Sequence, residues 1–433
     1  MAYLEHQKDF SEKFLTKLNN MKRDVKELYE IRDKDILKKE KAVRLHSSTL
    51  DATSAFACFE AIAKNKITMG QTVLDYEKFF KSYLKNKSEV LSCNSGSSAN
   101  LIAISTLVQK GLLKRGDKVI VPALAWSTTI FPLVQYGLIP IFCDCNSIDF
   151  NLSIDNLKLL IEENETKALM LIHTYGCPNN MDEITAICKL NKLILIEDTC
   201  ESMGAEWDNL KVGTFGEVSS FSTYYSHHIC TLEGGFACFK EKELFDIAGS
   251  IRSHGWVRHY KKNHQIFEEY SYLDPGFLFD YVGYNLRLSE PQAAIGIEQI
   301  KLLDSFILSR CNIAKKYIDF FKNEEESFLF QKPLEKAKSS WFGFPLILQG
   351  KLKDQRAALR KFLLDRNIET RPFLAGDFTL QPVVKKFKYI EDSNLEVSRT
   401  IAKSGLAIPC HQSLTKEDVN YVLNSIKDFI SMI

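Results

Sequence analysis

Between residues 90 and 240 short apolar runs alternate with amphipathic segments, and this alternation restricts the fold more than any other feature. VLSCNS (90–95), KVIVPA (118–123), IPIFCDC (139–145), ALMLIHTYG (168–176) and LILIED (193–198) have the character of strands buried on both faces. Between them, ANLIAISTLVQKGLL, SIDNLKLLIEEN (153–164) and MDEITAICKLN read as helices, the second opened by a Ser/Asp cap signal. Strands separated by helices imply βαβ units and a mostly parallel sheet. VSSFSTYY (218–225) and GGFACFK (234–240) read as two later strands.

The pattern loosens near residue 300. KKYIDFFKN reads as helix, SWFGFPLIL as strand, DQRAALRKFLLDRN as helix and KEDVNYVLNSIKDFISMI as a final amphipathic helix. The expected organisation has an N-terminal amphipathic helical extension over residues 1–45, a large α/β domain over 46–305 and a smaller α+β domain over 306–433. In the extension Phe10, Phe14, Leu18, Met21, Val25 and Leu28 recur at steps of four and three, one apolar stripe suited to packing on the body or on a partner subunit. The 433 residues suffice for two or three domains, and 45% hydrophobic with 26% charged residues suits a globular chain rather than a disordered one.

Charge excludes some functions. Lys and Arg total 56 against 55 Asp and Glu, so there is no positive surplus for a dedicated nucleic-acid binder. The start, MAYLEHQKDFSEK, lacks the apolar centre of a signal peptide, and no apolar run approaches the ~18 residues of a membrane span. The 11 cysteines contain no C-x-x-C pair. Cys143 and Cys145 are expected to alternate along a strand rather than share a metal. These features suggest free thiols in a reducing cytoplasm and no metal site.

In open α/β sheets ligands bind at the carboxyl ends of strands, and three segments lie there. Ser95-Gly96-Ser97-Ser98 follows a strand and opens a helix. It serves either as an anion cradle or simply as a helix cap. It is not a Walker A loop, because the Gly-x-x-x-x-Gly-Lys spacing is absent. Glu197-Asp198-Thr199-Cys200-Glu201 places acids at a strand end, where one can hold a protonated ring nitrogen or form a structural bridge. His227 and His228 precede Glu233-Gly234-Gly235; they are either structural or poised to move protons near neutrality.

Taken together and in order, NSGSSAN, PALAWSTTI, HTYGCPNNMDEI, IEDTCESMGA, FSTYYSHHICTLEGG, GYNLRLSEPQAAIGIEQI and ETRPFLAGDF make the chain similar to the DegT/DnrJ family of pyridoxal-phosphate-type sugar aminotransferases and dehydratases. The likeness runs from about Ile67 to the C-terminus. It implies the fold type I aminotransferase fold, a large α/β domain with a mostly parallel sheet plus a smaller C-terminal α+β domain. It also implies a homodimer with active sites shared between subunits. By resemblance, Gly96 and Ser97 give amides to the cofactor phosphate and the Ser222 hydroxyl joins them. Trp126 stacks on the pyridine ring, the alternative being a core aromatic. Asp198 pairs with the ring nitrogen, keeping the ring an electron sink. Glu201 lies near the phenolic oxygen, and Asn285 reaches the neighbouring subunit's cofactor. Arg287 contacts a substrate carboxylate or phosphate, or else forms a structural ion pair.

One departure narrows the activity. Aminotransferases of the family carry a Schiff-base Lys six residues before the Glu of Glu-Gly-Gly, and here that position is His227. Imidazole has no primary amine, so the cofactor is expected to bind non-covalently, as pyridoxamine phosphate cycling with pyridoxal phosphate. The replacement, the His-His pair and ETRPFLAG resemble the branch of 3-dehydratases acting on 4-keto-6-deoxy nucleotide sugars. That branch implies GDP-4-keto-6-deoxy-D-mannose as substrate. It also implies release of a 3,6-dideoxy-4-keto sugar and ammonia, with L-glutamate restoring the amine form. His227 would be the catalytic residue, first base and then acid. A subgroup with an iron–sulfur cluster has cysteines near the RSHG region; IRSHGWVRHYKKNHQIFEEY has none, so no cluster is expected. Two other functions compete: a nucleotide-sugar aminotransferase, and a catalytically inactive cofactor-binding regulatory protein.

Overall fold

Strand residues alternate between two apolar layers, and this places the sheet at the centre of the larger domain. The computed structural model describes residues 10–38, 42–258, 260, 264–392 and 395–433. Strands β1 (Glu89–Cys93), β2 (Lys118–Pro122), β3 (Ile139–Cys143), β4 (Thr166–Ile172) and β5 (Ile194–Asp198) are followed by the short β6 (Glu206–Trp207) and β7 (Leu210–Lys211), then β8 (Val218–Ser222) and β9 (Gly235–Phe239). The C-terminal part supplies β10 (Phe328–Phe330), β11 (Ala337–Lys338), β12 (Phe344–Leu348), β13 (Arg371–Pro372), β14 (Ile390–Glu391) and β15 (Gly405–Ile408). The main sheet has eight strands in the order β1-β9-β8-β5-β4-β2-β3-β14. Its pairings are parallel except where β9 meets β8 and β1. A four-stranded sheet, β10-β12-β15-β13, forms the smaller domain, and β11-β6-β7 forms a third.

Helices α1 (Glu12–Lys38), α2 (Ala52–Ala63) and α3 (Gln71–Leu84) precede the sheet; α4 (Gly96–Gln109), α5 (Ser127–Gln135), α6 (Ile154–Glu163), α7 (Met181–Asn191) and α8 (Lys242–Arg252) are interleaved with it. Val119, Ala168, Met170 and Ile196 pack with Ala99, Ile102, Leu244 and Ala248 of α4 and α8. Their neighbours Ile120, Leu169, Leu171 and Leu195 pack with Leu157 of α6 and Ile184 of α7. The period of two explains why these strands read as continuous apolar runs. After the short α9 (Gln265–Glu269), α10 (Glu290–Phe321) passes from the large domain into the small one, which is completed by α11 (Arg356–Leu364), α12 (Glu396–Ser404) and α13 (Lys416–Ser431). A Ser289/Gln292 capping box starts α10. At Gly296 a Cβ would lie 2.2 Å from the Tyr76 ring, so glycine lets α10 approach α3 closely.

Of the expected N-terminal extension, residues 1–9 and 39–41 lie outside the described residues. α1 rests along α2, with Lys22 over the Phe56 ring at 5.7 Å. Of its stripe, Leu18 is buried and Phe14 and Val25 are half-buried, while Met21 and Leu28 remain exposed.

Candidate active site

Strand alternation separates two adjacent carboxylates at the end of β5. Glu197 accepts N–H bonds from Gly213 (2.8 Å), Phe215 (2.8 Å) and Gly216 (2.6 Å) and lies 3.2 Å from His173 Nε2, so it is committed to structure. Asp198 faces the other way. Its Oδ2 accepts from Asn100 Nδ2 (2.9 Å) and Thr129 Oγ1 (2.7 Å), and its Oδ1 from the Cys200 N–H (3.1 Å) and the Ser220 hydroxyl (3.3 Å). Four donors from four segments fix the plane of one carboxylate.

β1 turns directly into α4 at Gly96. Ser95 caps the helix, accepting the Ser98 N–H at 3.0 Å. A Cβ on Gly96 would stand 2.6 Å from Ser222 Cβ and 2.9 Å from Cys200 Sγ. Glycine therefore lets the free amides of Gly96 and Ser97 meet Ser222, the last residue of β8. Trp126, just before α5, is 58% exposed, which rules out a core role.

The loop after β8 is closed by Thr223 and Thr231, whose hydroxyls are 2.6 Å apart and whose backbones bond each other and Gly234. His227 lies near its tip. The imidazole packs 4.9 Å from the Phe342 ring and 6.0 Å from Tyr224, and its Nδ1 is buried without a partner among the described residues. Burial, and then the charges of Arg371, Arg310 and His46, hold its proton affinity below that of an ordinary histidine. His228 is fully buried and pairs through Nε2 with the Ser340 carbonyl at 3.1 Å. Glu201 accepts the Tyr175 N–H at 3.1 Å. Burial pushes its carboxyl up to about 7; Arg371 and the Tyr175 bond oppose this and the Asp198 charge assists.

Gly96, Ser97, Asp198, Glu201, Ser222 and His227 thus gather along the carboxyl edge of the sheet, with Trp126 beside it. Asn285 and Arg287 lie on the strip 281–287, which adjoins the β1–α4 turn because the Asn94 N–H donates to the Leu286 carbonyl at 3.0 Å, and they bond each other, Arg287 Nε donating to Asn285 Oδ1 at 3.0 Å.

Several neighbours of these residues carry a weaker sequence signal or none. Asn100, Thr129 and Arg371 lie inside quoted motifs, and as polar residues in those motifs they were the available signal. Arg371 stands 5.3 Å from the Tyr175 ring and 5.0 Å from the Phe342 ring. His46, edge-on to Tyr225 at 5.3 Å, and Phe342 carried no such mark. The arrangement offers an anion cradle, a braced carboxylate, an exposed indole and an imidazole ready to accept a proton.

Residues 49–427 match the DegT/DnrJ/EryC1/StrS aminotransferase family. The chain is 40% identical over 389 residues to the GDP-4-keto-6-deoxy-D-mannose 3-dehydratase of Yersinia pseudotuberculosis, spanning 88% of this chain and 98% of that one. It is similar to a solved GDP-4-keto-6-deoxymannose-3-dehydratase with bound GDP-perosamine, at TM-score 0.82 and 36% identity over 89% of this chain and 100% of the other. A structure of such an enzyme with a trapped PLP-glutamate geminal diamine matches at TM-score 0.82 and 36% identity over 88% and 99% of the two chains.

Proposed function

The chain belongs to the DegT/DnrJ/EryC1/StrS aminotransferase family, and from that premise we propose that it is a pyridoxamine-phosphate-dependent 3-dehydratase of GDP-4-keto-6-deoxy-D-mannose. The observation that carries this reading is the imidazole of His227 at the position where the aminotransferases of the family hold their Schiff-base lysine. The curated relative bears this activity in its name, and the solved relatives hold a GDP-sugar and a pyridoxal phosphate–glutamate adduct.

The residues present fit the cofactor. The Gly96 cradle suits a phosphate, and Asp198, braced by four donors, suits a protonated ring nitrogen. When bound, the cofactor supplies an amine for the C4 ketone of the sugar and a conjugated ring that carries the electron pair with which the C3 hydroxyl departs. Gly96, Ser97 and Ser222 bind the phosphate. Trp126 covers the ring. Asp198 orients it and favours its charged form. Neutral His227 takes the proton from the C4′ carbon and returns it to the departing hydroxyl. Burial, and then the charges of Arg371 and Arg310, keep His227 unprotonated beforehand. The net change would be loss of one oxygen from the sugar and release of ammonia, with L-glutamate consumed to 2-oxoglutarate.

The enzyme works as a homodimer in the cytoplasm. Val282 (77% exposed) and Phe277 (65%) are exposed apolar residues on the segment leading to Asn285, a segment suited to a second copy that would bring Asn285 to its neighbour's cofactor. The 11 cysteines are all free, and among the described residues no helix is long and apolar enough to cross a membrane.

Incubation with GDP-4-keto-6-deoxy-D-mannose, L-glutamate and cofactor tests the reading by mass analysis. A sugar lighter by one oxygen, with ammonia and 2-oxoglutarate, is expected. An amino sugar without ammonia would make the protein a transaminase. Replacing His227 by Asn should abolish the oxygen loss; retained turnover would remove His227 from the mechanism.

A further inference from the structure

A catalytic histidine is commonly oriented through its second nitrogen, which donates to a carboxylate or carbonyl. Among the described residues His227 has no such partner: its Nδ1 is buried and unbonded. The ring is located instead by packing, chiefly against Phe342 at 4.9 Å with the planes inclined by 43°.

Phe342 is itself firmly held. The turn 339–342 places Trp341 in the left-handed region at φ 51°. Its backbone is tied on several sides. Ser340 N–H donates to the Gly176 carbonyl at 3.0 Å, and Phe342 N–H to the Tyr175 carbonyl at 2.9 Å. The buried Arg310 donates through Nη1 to the carbonyls of Trp341 (3.0 Å) and Phe342 (3.2 Å). The remaining tie comes from His228: a carbonyl only accepts, so Nε2 must be the donor to Ser340 at 3.1 Å. The residue next to the base thus fastens the base's loop to the turn that carries the base's wall.

We propose that Phe342 and His228 are positioning residues for the elimination: His228 latches the turn 339–342 to the His227 loop, and the Phe342 ring fixes the imidazole where it must take its proton. This rests on His227 being the base. The same wall covers the Nδ1 side of the ring, which is buried, although His227 as a whole is half-buried. Facing His227 are Arg371 from β13, Arg310 from α10 and His46 from the segment before α2, with Tyr224, Tyr225 and His228 on its own loop and Tyr175 beyond Phe342. Among these groups no carboxylate pairs with the imidazole to favour its charged form. Opening the wall lets water solvate the imidazolium, so its proton affinity rises toward the ordinary value.

The test compares Phe342→Ala, Phe342→Leu, His228→Ala and His228→Gln, the last retaining a donor near the position of Nε2. Two quantities are read. One is kcat and KM against pH. The other, in the cofactor-free protein, is the pH midpoint of diethyl pyrocarbonate modification of His227, followed by peptide mass spectrometry. For Phe342→Ala and His228→Ala we expect kcat to fall about 10- to 100-fold with KM for the nucleotide sugar changed less than about threefold. The modification midpoint should rise by about one pH unit. Phe342→Leu and His228→Gln should recover most of both. An unchanged midpoint in Phe342→Ala overturns the proposal even if turnover is lost. A moved midpoint with full turnover in His227→Asn would instead sink the assignment of the base.

Discussion

Glu201→Gln isolates what burial does to one carboxyl of the site. Burial lifts Glu201 from an ordinary 4.5 to about 7. The folded value exceeds the unfolded one, so the folded chain retains a proton there that the unfolded chain releases. The stability this gives is complete below about pH 4.5 and is lost as pH rises through about 7. At ~1.4 kcal/mol for each pH unit between the two values, the loss approaches about 3 kcal/mol at high pH. Glutamine at 201 keeps an oxygen for the Tyr175 N–H and carries no charge. Urea unfolding of the cofactor-free protein, at fixed protomer concentration, measures both proteins across the range. His46, His227 and His411 are depressed by burial and titrate alike in the two, so they cancel in the difference. The variant should match wild type near about pH 4 and exceed it by up to about 3 kcal/mol near about pH 8.5. A difference that stays flat, or narrows as pH rises, would refute the reasoning.

His227→Lys should restore a primary amine beside the cofactor; borohydride reduction would then attach the cofactor covalently, seen as a mass increase of the peptide, and no attachment would mean the position is misplaced. Gly96→Ala drives a methyl to 2.6 Å from Ser222 Cβ, so cofactor affinity measured by fluorescence titration should fall about tenfold or more, ~1.4 kcal/mol. Arg252→Leu removes the counter-charge of the buried Glu77, which Arg252 Nη1 holds at 2.7 Å and to which, among the described residues, only Ser92 would still donate, and should lower unfolding free energy by ~3–5 kcal/mol; a loss under about 1 kcal/mol would contradict the pairing.

The strands of the main sheet were legible because burial on both faces leaves an apolar run that needs no partner to be recognised. LILIED (193–198) coincides with β5 within one residue, and SIDNLKLLIEEN with α6. α2 and α3 carry no distinctive sequence signal, since their apolar faces mean little until α10 lies across them. Two-residue strands such as β6, β7 and β14 have no sequence signature; pairing alone makes them. The family itself was readable from seven ordered motifs, and residues 49–427 bear that out. Within the site, motifs pointed to Asp198 but not to the donors that brace it, and to His227 but not to Phe342, 115 positions away in the chain. Such contacts are made by folding distant segments together and leave no local periodicity to read.

α10 has a mechanical consequence. Its 32 residues extend ~48 Å, its first half lying on α2 and α3 and its far end on β10 and α13. An uninterrupted rod of this length cannot hinge midway without rupturing main-chain bonds. Because the axle carries Arg310, which holds the carbonyls of Trp341 and Phe342, any tilt of its far half is passed directly to the wall beside His227.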